Sequence, residues 1–416
     1  MISVEEALEK ILSQVQVLEA EEKPILDCLG QVLAEDVYSD IDVPPWANAA
    51  MDGYAVVAES TRGISPASPR VLPVVGELAA GTLSQRPLGP GEAVRIMTGA
   101  PLPPGADAVV KFEDTDEPTR KTPRPRPSQV SILAEAKPGT NVRPAGEDVS
   151  KGSLVLPQGT LLRPAAIGVL ASLGRVTVSV IRRPVVAIIA TGDELVEPGQ
   201  MLPPGHIYNS NTYGLAALVR RYGGIPKLLG IARDTRKDLE AKVRQGLDAD
   251  LVLTSGGVSH GDYDVVKDIL ASLGEITFWT VRMKPGKPLA FGKLKGEGRE
   301  IPHLGLPGYP VSSMVVFEVL ARPALFKMMG RRHLGKPSLW AITEHDIENK
   351  DGRRFFARAV VTGRQEQHFV KLAGPQLSGV LSSLAQANAL AIIPENVSKV
   401  QAGDKVEVMM LDWDEP

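Results

Sequence analysis

The sequence predicts a multidomain protein of the α/β plus β class, in which a doubly wound sheet domain lies between β-rich segments. Three observations carry that expectation. At 416 residues the chain exceeds what one ordinary core accommodates. Residues 44–180 and the stretch after Gly330 break into short β-type runs punctuated by Gly and Pro. From Pro184 to about 329, short apolar runs alternate with segments of helical spacing, the pattern of a parallel sheet covered by helices on both faces.

The elements follow in order. Ser3 to Leu18 reads as an amphipathic helix: Val4, Ala7, Leu8, Ile11, Leu12 and Val15 share one face, and Ser3 with Glu6 forms a capping box. The runs LAEDVYSDIDVP, RVLPVVGELA, EAVRIMTG, DAVVKFED and QVSILAEA make residues 44–180 mostly all-β. Pro118 to Pro127, PTRKTPRPRP, reads as a solvated hairpin tip. Next come a buried strand at 185–190, a helix from Asn211 to Tyr222 stopped by Gly223-Gly224, and a strand at 225–231. Asp234 is placed as the N-cap of a helix from Thr235 to Leu247. Strand 251–254, helix 262–272, strands 276–282 and 301–306, and helix 311–329 complete the alternation. SLWAITEHD, RFFARAVV, ALAIIPE and DKVEVMMLD then predict a small C-terminal β domain.

Composition excludes several functions. A net charge of −3 gives no general attraction to nucleic acid or anionic lipid, and aromatic residues at 5% leave few stacking platforms for bases. Cys28 is the only cysteine, so neither an intrachain disulfide nor a thiolate metal cluster can form, and its apolar context suits a buried thiol. MISVEEALEK lacks the features of a signal peptide, and no run approaches the ~20 apolar residues of a membrane span. A cytoplasmic protein is expected.

In open α/β sheets ligands bind beyond the carboxyl ends of the strands, and the polar motifs of residues 184–330 all fall there. ATGDEL supplies Asp193 and Glu194. TSGGVSHGDYD supplies Ser255, Gly256, Gly257 and Ser259, with Asp262 and Asp264. Backbone N–H groups of such a glycine loop suit an oxyanion, and carboxylates beside them call for a divalent cation such as Mg²⁺. Ser255 and Ser259 are read as hydrogen-bonding groups because no nucleophile elbow is present. Lys284 and Lys287, with Arg282, sit in a loop stiffened by Pro285, Gly286 and Pro288, which suits a fixed oxyanion site. Gly305 to Pro310, including Pro307 and Gly308, leads into a helix whose free N–H groups suit a phosphate. On residue chemistry alone, MDGYA around Asp52, RIMTGA around Thr98 and GED around Asp148 read as tight turns.

Taken in order, PPWANAAMDGYAV, RIMTGAPLPPGADAVV, NVRPAGEDV, ATGDEL, TSGGVSHGDYD, MKPGKPLAFG and GLPGYPVSS resemble the molybdopterin molybdenumtransferase (MoeA) family, to which a domain of gephyrin is related. The resemblance spans nearly the whole chain. It implies a MogA/MoaB-like doubly wound sheet domain at 181–329, a discontinuous linking domain at 1–43 and 139–180, a β-rich inserted domain at 44–138 and a C-terminal β domain at 330–416. It further implies insertion of molybdate at the dithiolene of adenylated molybdopterin, with release of AMP and help from Mg²⁺. The implied assembly is a homodimer whose cleft combines the sheet domain of one subunit with the β-rich part of the other, and a MogA-like adenylyltransferase is an implied partner. Carried over by motif, Asp52, Thr98, Asp148, Glu194, Asp234 and Asp264 match polar or acidic cleft positions, with Glu194 and Asp264 assigned to the metal. Lys284, Lys287 and, more loosely, Ser378 in GPQLSG match positions that contact substrate.

Tyr309 departs from the family's usual Asn in G-L-P-G-N-P, and Ala49 and His260 stand at variable positions. Tyr309 opens the question of tungstate in place of molybdate. Two rival readings stand beside the transferase: a molybdopterin adenylyltransferase, and a scaffold that binds cofactor without turnover. The MDGYA and RIMTGAP half argues against the first, and the acids in the cleft motifs argue against the second.

Overall fold

The computed structural model describes residues 1–119, 127–257, 265–296 and 298–413. Asp264, Ser259, His260 and Asp262 therefore lie outside the described residues, as does most of the Pro118–Pro127 stretch. The chain forms two compact units, one of Pro24–Leu26 and Glu35–Val178, the other of Met1–Lys23, Asp27–Ala34 and Ser179–Pro416.

The first unit is built on a five-stranded sheet of β1 (Gly53–Val56), β2 (Arg70–Leu78), β3 (Ala93–Ile96), β4 (Ala108–Lys111) and β5 (Gln129–Ile132), in the order β4-β1-β3-β2-β5. All pairings are antiparallel except β2–β3. Alternation sends Tyr54, Val56, Val74 and Val110 into one core and Ala55, Leu78, Val94, Ile96 and Val109 into the other. Gly53 is required in β1, because a Cβ there would meet the Val110 carbonyl oxygen at 2.1 Å. A helix at Pro164–Ser172 interrupts the expected all-β stretch. Its apolar run PAAIGVLAS carries no helical amphipathicity to distinguish it from a buried strand.

The second unit holds a three-layer α/β domain. Helix α1 (Val4–Gln14) begins at Ser3, whose hydroxyl accepts the Glu6 N–H at 3.0 Å, and ends before Val15, shorter than the periodicity suggests. The sheet comprises β6 (Val185–Thr191), β7 (Ile225–Ala232), β8 (Leu251–Ser255), β9 (Gly274–Thr280), β10 (Pro288–Lys295) and β11 (Glu300–Leu306), in the order β7-β6-β8-β11-β10-β9. It is not wholly parallel. The strands β7, β6, β8 and β11 are parallel, whereas β10 runs antiparallel to both β11 and β9. Two reversals restore direction, so β9 still ends on the same edge as β11, and the MKPGKP turn lies there.

Period-two alternation divides the apolar strands between two cores. Val186, Ile188, Leu251, Leu253, Leu304 and Leu306 pack against α1, α2 (Ser210–Arg221), α5 (Pro310–Val316) and α6 (Arg322–Met328). Ala187, Ile189, Val252 and Ile301 pack against α3 (Arg236–Gln245) and α4 (Val265–Leu273). The expected helix 311–329 is present with a π-helical stretch, Phe317–Ala321, joining α5 to α6. Asp234 is not the N-cap of α3; Thr235 is, accepting the Asp238 N–H at 3.3 Å.

The C-terminal strands β12 (Ser338–Thr343), β13 (Arg354–Arg364), β14 (Gln367–Leu372), β15 (Ala389–Ile393) and β16 (Lys405–Met410) close on themselves, because β13 pairs with both β14 and β15. Closure removes exposed strand edges and leaves an interior of small and β-branched side chains such as Ala357, Ala359, Ala391, Val370 and Val408. Met283–Lys284 joins β13 as a short parallel strand, which ties the MKPGKP turn to the barrel.

Candidate functional site

The carboxyl edge of the sheet and two barrel loops line one cleft of about 1080 Å³. Its walls are Thr191, Gly192 and Glu194 after β6, Asp234 after β7, Ser255 to Gly257 after β8, Lys284 to Pro288 between β9 and β10, and Pro307 to Pro310 after β11. The barrel contributes Arg353, Ser378 and Gly379. Nearly all sheet-side residues singled out from sequence thus converge: Glu194, Asp234, Ser255, Gly256, Gly257, Lys284, Lys287, Pro307 and Gly308, joined by Ser378.

Close backbone approach dictates the glycines. Gly256 adopts φ +102°, and a Cβ there would meet the Thr191 hydroxyl at 2.6 Å and carbonyl at 2.7 Å. Its N–H donates to the Leu306 carbonyl at 3.0 Å, which draws three strand ends together. Asn211, in the first turn of α2, fastens this floor. Its Nδ2 donates to Ser255 Oγ at 2.8 Å and to the Gly308 carbonyl at 2.7 Å. Asn209 caps the helix by accepting the Thr212 N–H, which leaves Asn211 available for that role. Beneath, Thr254 Oγ1 meets His303 Nε2 at 3.0 Å, and complete burial drives the His303 imidazole down to about 3, so it stays neutral.

The acidic wall is electrically strained. Partial burial, then the neighbouring Asp193 and Glu194 carboxylates, push the Asp234 carboxyl above its usual range. The Asp234 N–H donates to Asp193 Oδ1 at 3.2 Å, which holds the two loops together. The Glu194 carboxylate folds over Gly192, where a Cβ would lie 2.4 Å from Oε2.

The basic wall is paired in part. Lys284 Nζ lies 3.5 Å from Asp351 Oδ2 and 4.9 Å from the Phe355 ring centroid. Lys287 is exposed and makes no ion pair with a described residue. In the barrel, the fully buried Arg358 donates to the Pro375 and Leu377 carbonyls at 2.7 and 3.1 Å and to Ser383 Oγ at 3.1 Å. This grip shapes the loop that carries Ser378, whose carbonyl accepts the Val311 N–H at 3.2 Å. That N–H, expected to be free for a phosphate, is therefore already bonded.

Asp52, Thr98 and Asp148 belong to the other unit. Pairing of Gly53 with Ile96 brings Asp52 to Thr98, whose N–H and hydroxyl donate to Asp52 Oδ1 at 2.7 and 2.8 Å. Those two bonds hold the Asp52 carboxyl below its usual range. Asp148 is exposed, and its N–H donates to the Val43 carbonyl at 3.0 Å.

Three family models match successive stretches: the MoeA N-terminal region (domain I and II) over residues 2–174, a probable molybdopterin binding domain over 187–327, and the MoeA C-terminal region (domain IV) over 341–411. The chain is 40% identical over 398 residues to molybdopterin molybdenumtransferase 2 of Mycobacterium tuberculosis, covering 94% of each. The chain belongs to the MoeA family. The molybdopterin molybdenumtransferase of Nostoc is 41% identical over 388 residues, covering 92% of this chain and 86% of that one. A crystal structure of the MoeA protein from Pyrococcus horikoshii OT3 matches with a TM-score of 0.82 at 30% identity, covering 99% of this chain and 100% of that one. In MoeA terms, Glu194, Asp234 and both lysines fall in the molybdopterin-binding match, Arg353 and Ser378 in the C-terminal match, and Asp52, Thr98 and Asp148 in the N-terminal match.

Asn211 and Arg353 escaped the reading of the sequence. The NSN run at the start of α2 is the available signal for the first. Arg353 had none, since only the fold brings it to Lys284. No three described His, Cys, Asp or Glu side chains gather closely enough to hold a metal ion. Partial burial and then the neighbouring Asp193 and Glu194 raise Asp234, and a cation would relieve the repulsive part. Among the described residues no helix is long and apolar enough to cross a membrane.

Proposed function

We propose that this chain is a molybdopterin molybdenumtransferase of molybdenum cofactor biosynthesis, which takes adenylated molybdopterin and molybdate and releases AMP. The observation that carries this reading is one cleft lined both by the acids Glu194 and Asp234 and by the cations Lys284, Lys287 and Arg353, in a chain that matches MoeA family models along most of its length. Molybdate is a tetrahedral dianion and needs cations and donors; the phosphoanhydride of the adenylate needs its charge offset as it breaks.

In this reading the lysines, with Ser259 and Ser378, hold the anion, and Thr191, Gly256 and Asn211 keep the strand ends in register beneath it. Glu194 and Asp264 would hold Mg²⁺. When bound, the ion offsets charge on the phosphoanhydride. Asp234, its carboxyl raised by partial burial and by Asp193 and Glu194, takes the proton of the attacking water. The water oxygen bonds to the phosphorus on the molybdopterin side, the P–O bond from that phosphorus to AMP breaks, and the electron pair leaves with the AMP phosphate.

The same reading divides the chain at 1–43 with 139–180, 44–138, 181–329 and 330–416. It places the protein in the cytoplasm as a homodimer, with Asp52, Thr98 and Asp148 serving the partner's cleft, and has it receive substrate from a MogA-like adenylyltransferase. Tungstate, of the same charge and shape as molybdate, is an alternative anion. Purified protein mixed with adenylated molybdopterin, molybdate and Mg²⁺ should release AMP, read by chromatography. No AMP above the protein-free rate, or AMP release with no dependence on molybdate or Mg²⁺, removes the reading.

A further inference from the structure

Two cleft cations come from different domains and share one carboxylate oxygen. Asp351 Oδ2 accepts from Arg353 Nη2 at 2.5 Å and lies 3.5 Å from Lys284 Nζ. The three side chains are 33%, 23% and 37% exposed, so water screens them only in part. Lys284 and Arg353 line the cleft, whereas Asp351 does not. The backbone braces the same place: Met283–Lys284 pairs with Arg354–Phe355, and the Arg354 N–H donates to the Arg282 carbonyl at 3.1 Å. Burial pushes the Asp351 carboxyl up, but Arg353 and then Lys284 outweigh it and leave the group below its usual range, hence ionised at neutral pH.

We propose that Asp351 is a positioning residue for oxyanion binding: without touching the ligand, it holds the Lys284 ammonium and the Arg353 guanidinium as a preset pair across the junction of the sheet domain and the barrel. Side by side, two cations repel, and both stand on long arms held otherwise, among the described residues, only by the Phe355 ring at Lys284 and by the Met283 carbonyl, 3.5 Å from Arg353 Nη1. A carboxylate between them cancels the repulsion and removes the rotamer entropy before the ligand arrives. A tetrahedral dianion then meets donors already aimed at it. The opposite expectation belongs to Asp351 as a simple counter-charge. In that case its loss leaves the cleft more positive and tightens anion binding.

The inference rests on the proposed function in taking molybdate as the anion. Titration calorimetry with molybdate compares the wild-type chain, Asp351→Asn and Asp351→Glu, alongside thermal midpoints and AMP-release kinetics. Asp351→Asn should bind molybdate about tenfold more weakly, raising the molybdate KM more than it lowers kcat, and Asp351→Glu should recover most of the loss. If Asp351→Asn melts at a markedly lower temperature, the comparison of Asp351→Glu with Arg353→Lys, which keeps charge but not the fork, decides: the first should bind molybdate nearly as the wild type does and the second more weakly, and equal binding by the two overturns the inference. Equal or tighter binding by Asp351→Asn overturns the inference and leaves the transferase reading intact. Molybdate binding by the wild type without AMP release removes the transferase reading and leaves the positioning role standing. No molybdate binding by the wild type overturns both.

Discussion

The two charged walls of the cleft are built on opposite principles. On the basic wall, Lys284 and Arg353 converge on Asp351, so their mutual repulsion is offset and their positions are braced in advance, while the wall keeps a net positive charge. On the acidic wall, Asp193, Glu194 and Asp234 crowd together, and partial burial followed by the two neighbouring carboxylates raises Asp234 above its usual range despite the nearby Arg233. The basic wall is braced for an anion, whereas the acidic wall holds like charges that a cation would relieve. The contrast matches the assignment of the anion to one side and the metal to the other.

The largest test removes the acid assigned to the metal. Glu194→Ala should slow AMP release by roughly 10²- to 10³-fold while circular dichroism and the melting temperature stay near wild type. Unchanged turnover with normal Mg²⁺ dependence would reject the assignment. On the opposite wall, Lys287 is the cation with no ion-pair partner among the described residues, so its loss leaves no buried charge behind. Lys287→Ala should raise the molybdate KM by about tenfold with little change in kcat, since a charge-assisted bond is lost. A lowered kcat at constant KM contradicts that role.

Smaller effects report on the electrostatics themselves. A carboxyl whose value is raised in the fold is tolerated below the ordinary Asp range, and its charge costs stability as pH climbs through its raised value. Asp234→Asn should therefore stabilise the protein at pH 7 by less than about 1 kcal/mol after allowance for solvent screening, with the gain fading in acid. Added Mg²⁺ should give the wild type part of the same gain. Equal denaturation curves at neutral and acid pH would show that the acidic wall carries no strain. Asp52 runs the other way. Its value is depressed by Thr98, so its contribution is present above the ordinary Asp range and vanishes as pH falls through the depressed value. Asp52→Asn should cost about 0.5 kcal/mol at neutral pH in urea denaturation, and nothing in strong acid.

Local chemistry made much of this legible. The strand runs, their alternation and the Gly-rich loops mark the carboxyl edge, because each depends on neighbours within a few residues. Asp234 was misplaced as a cap because Asp and Thr compete for that position, and Thr235 wins by reaching the Asp238 N–H. The strand β10 was missed because PLAFGKLK carries Gly and Lys inside a run that pairs on both sides, where β propensity depends on context. Asn211 and Arg353 act across 44 or more residues of sequence, on Ser255 and Lys284, and no spacing rule reaches that far.

Arg358 settles how the cleft behaves in acid. A guanidinium keeps its proton throughout any pH a cell meets, so the Ser378 loop it grips owes nothing to titration. Acidification protonates Asp234, which partial burial and its acidic neighbours hold above the ordinary range, and leaves the Arg358 grip in place. The protein would fall silent before it lost its form, and returning the pH should restore activity without refolding.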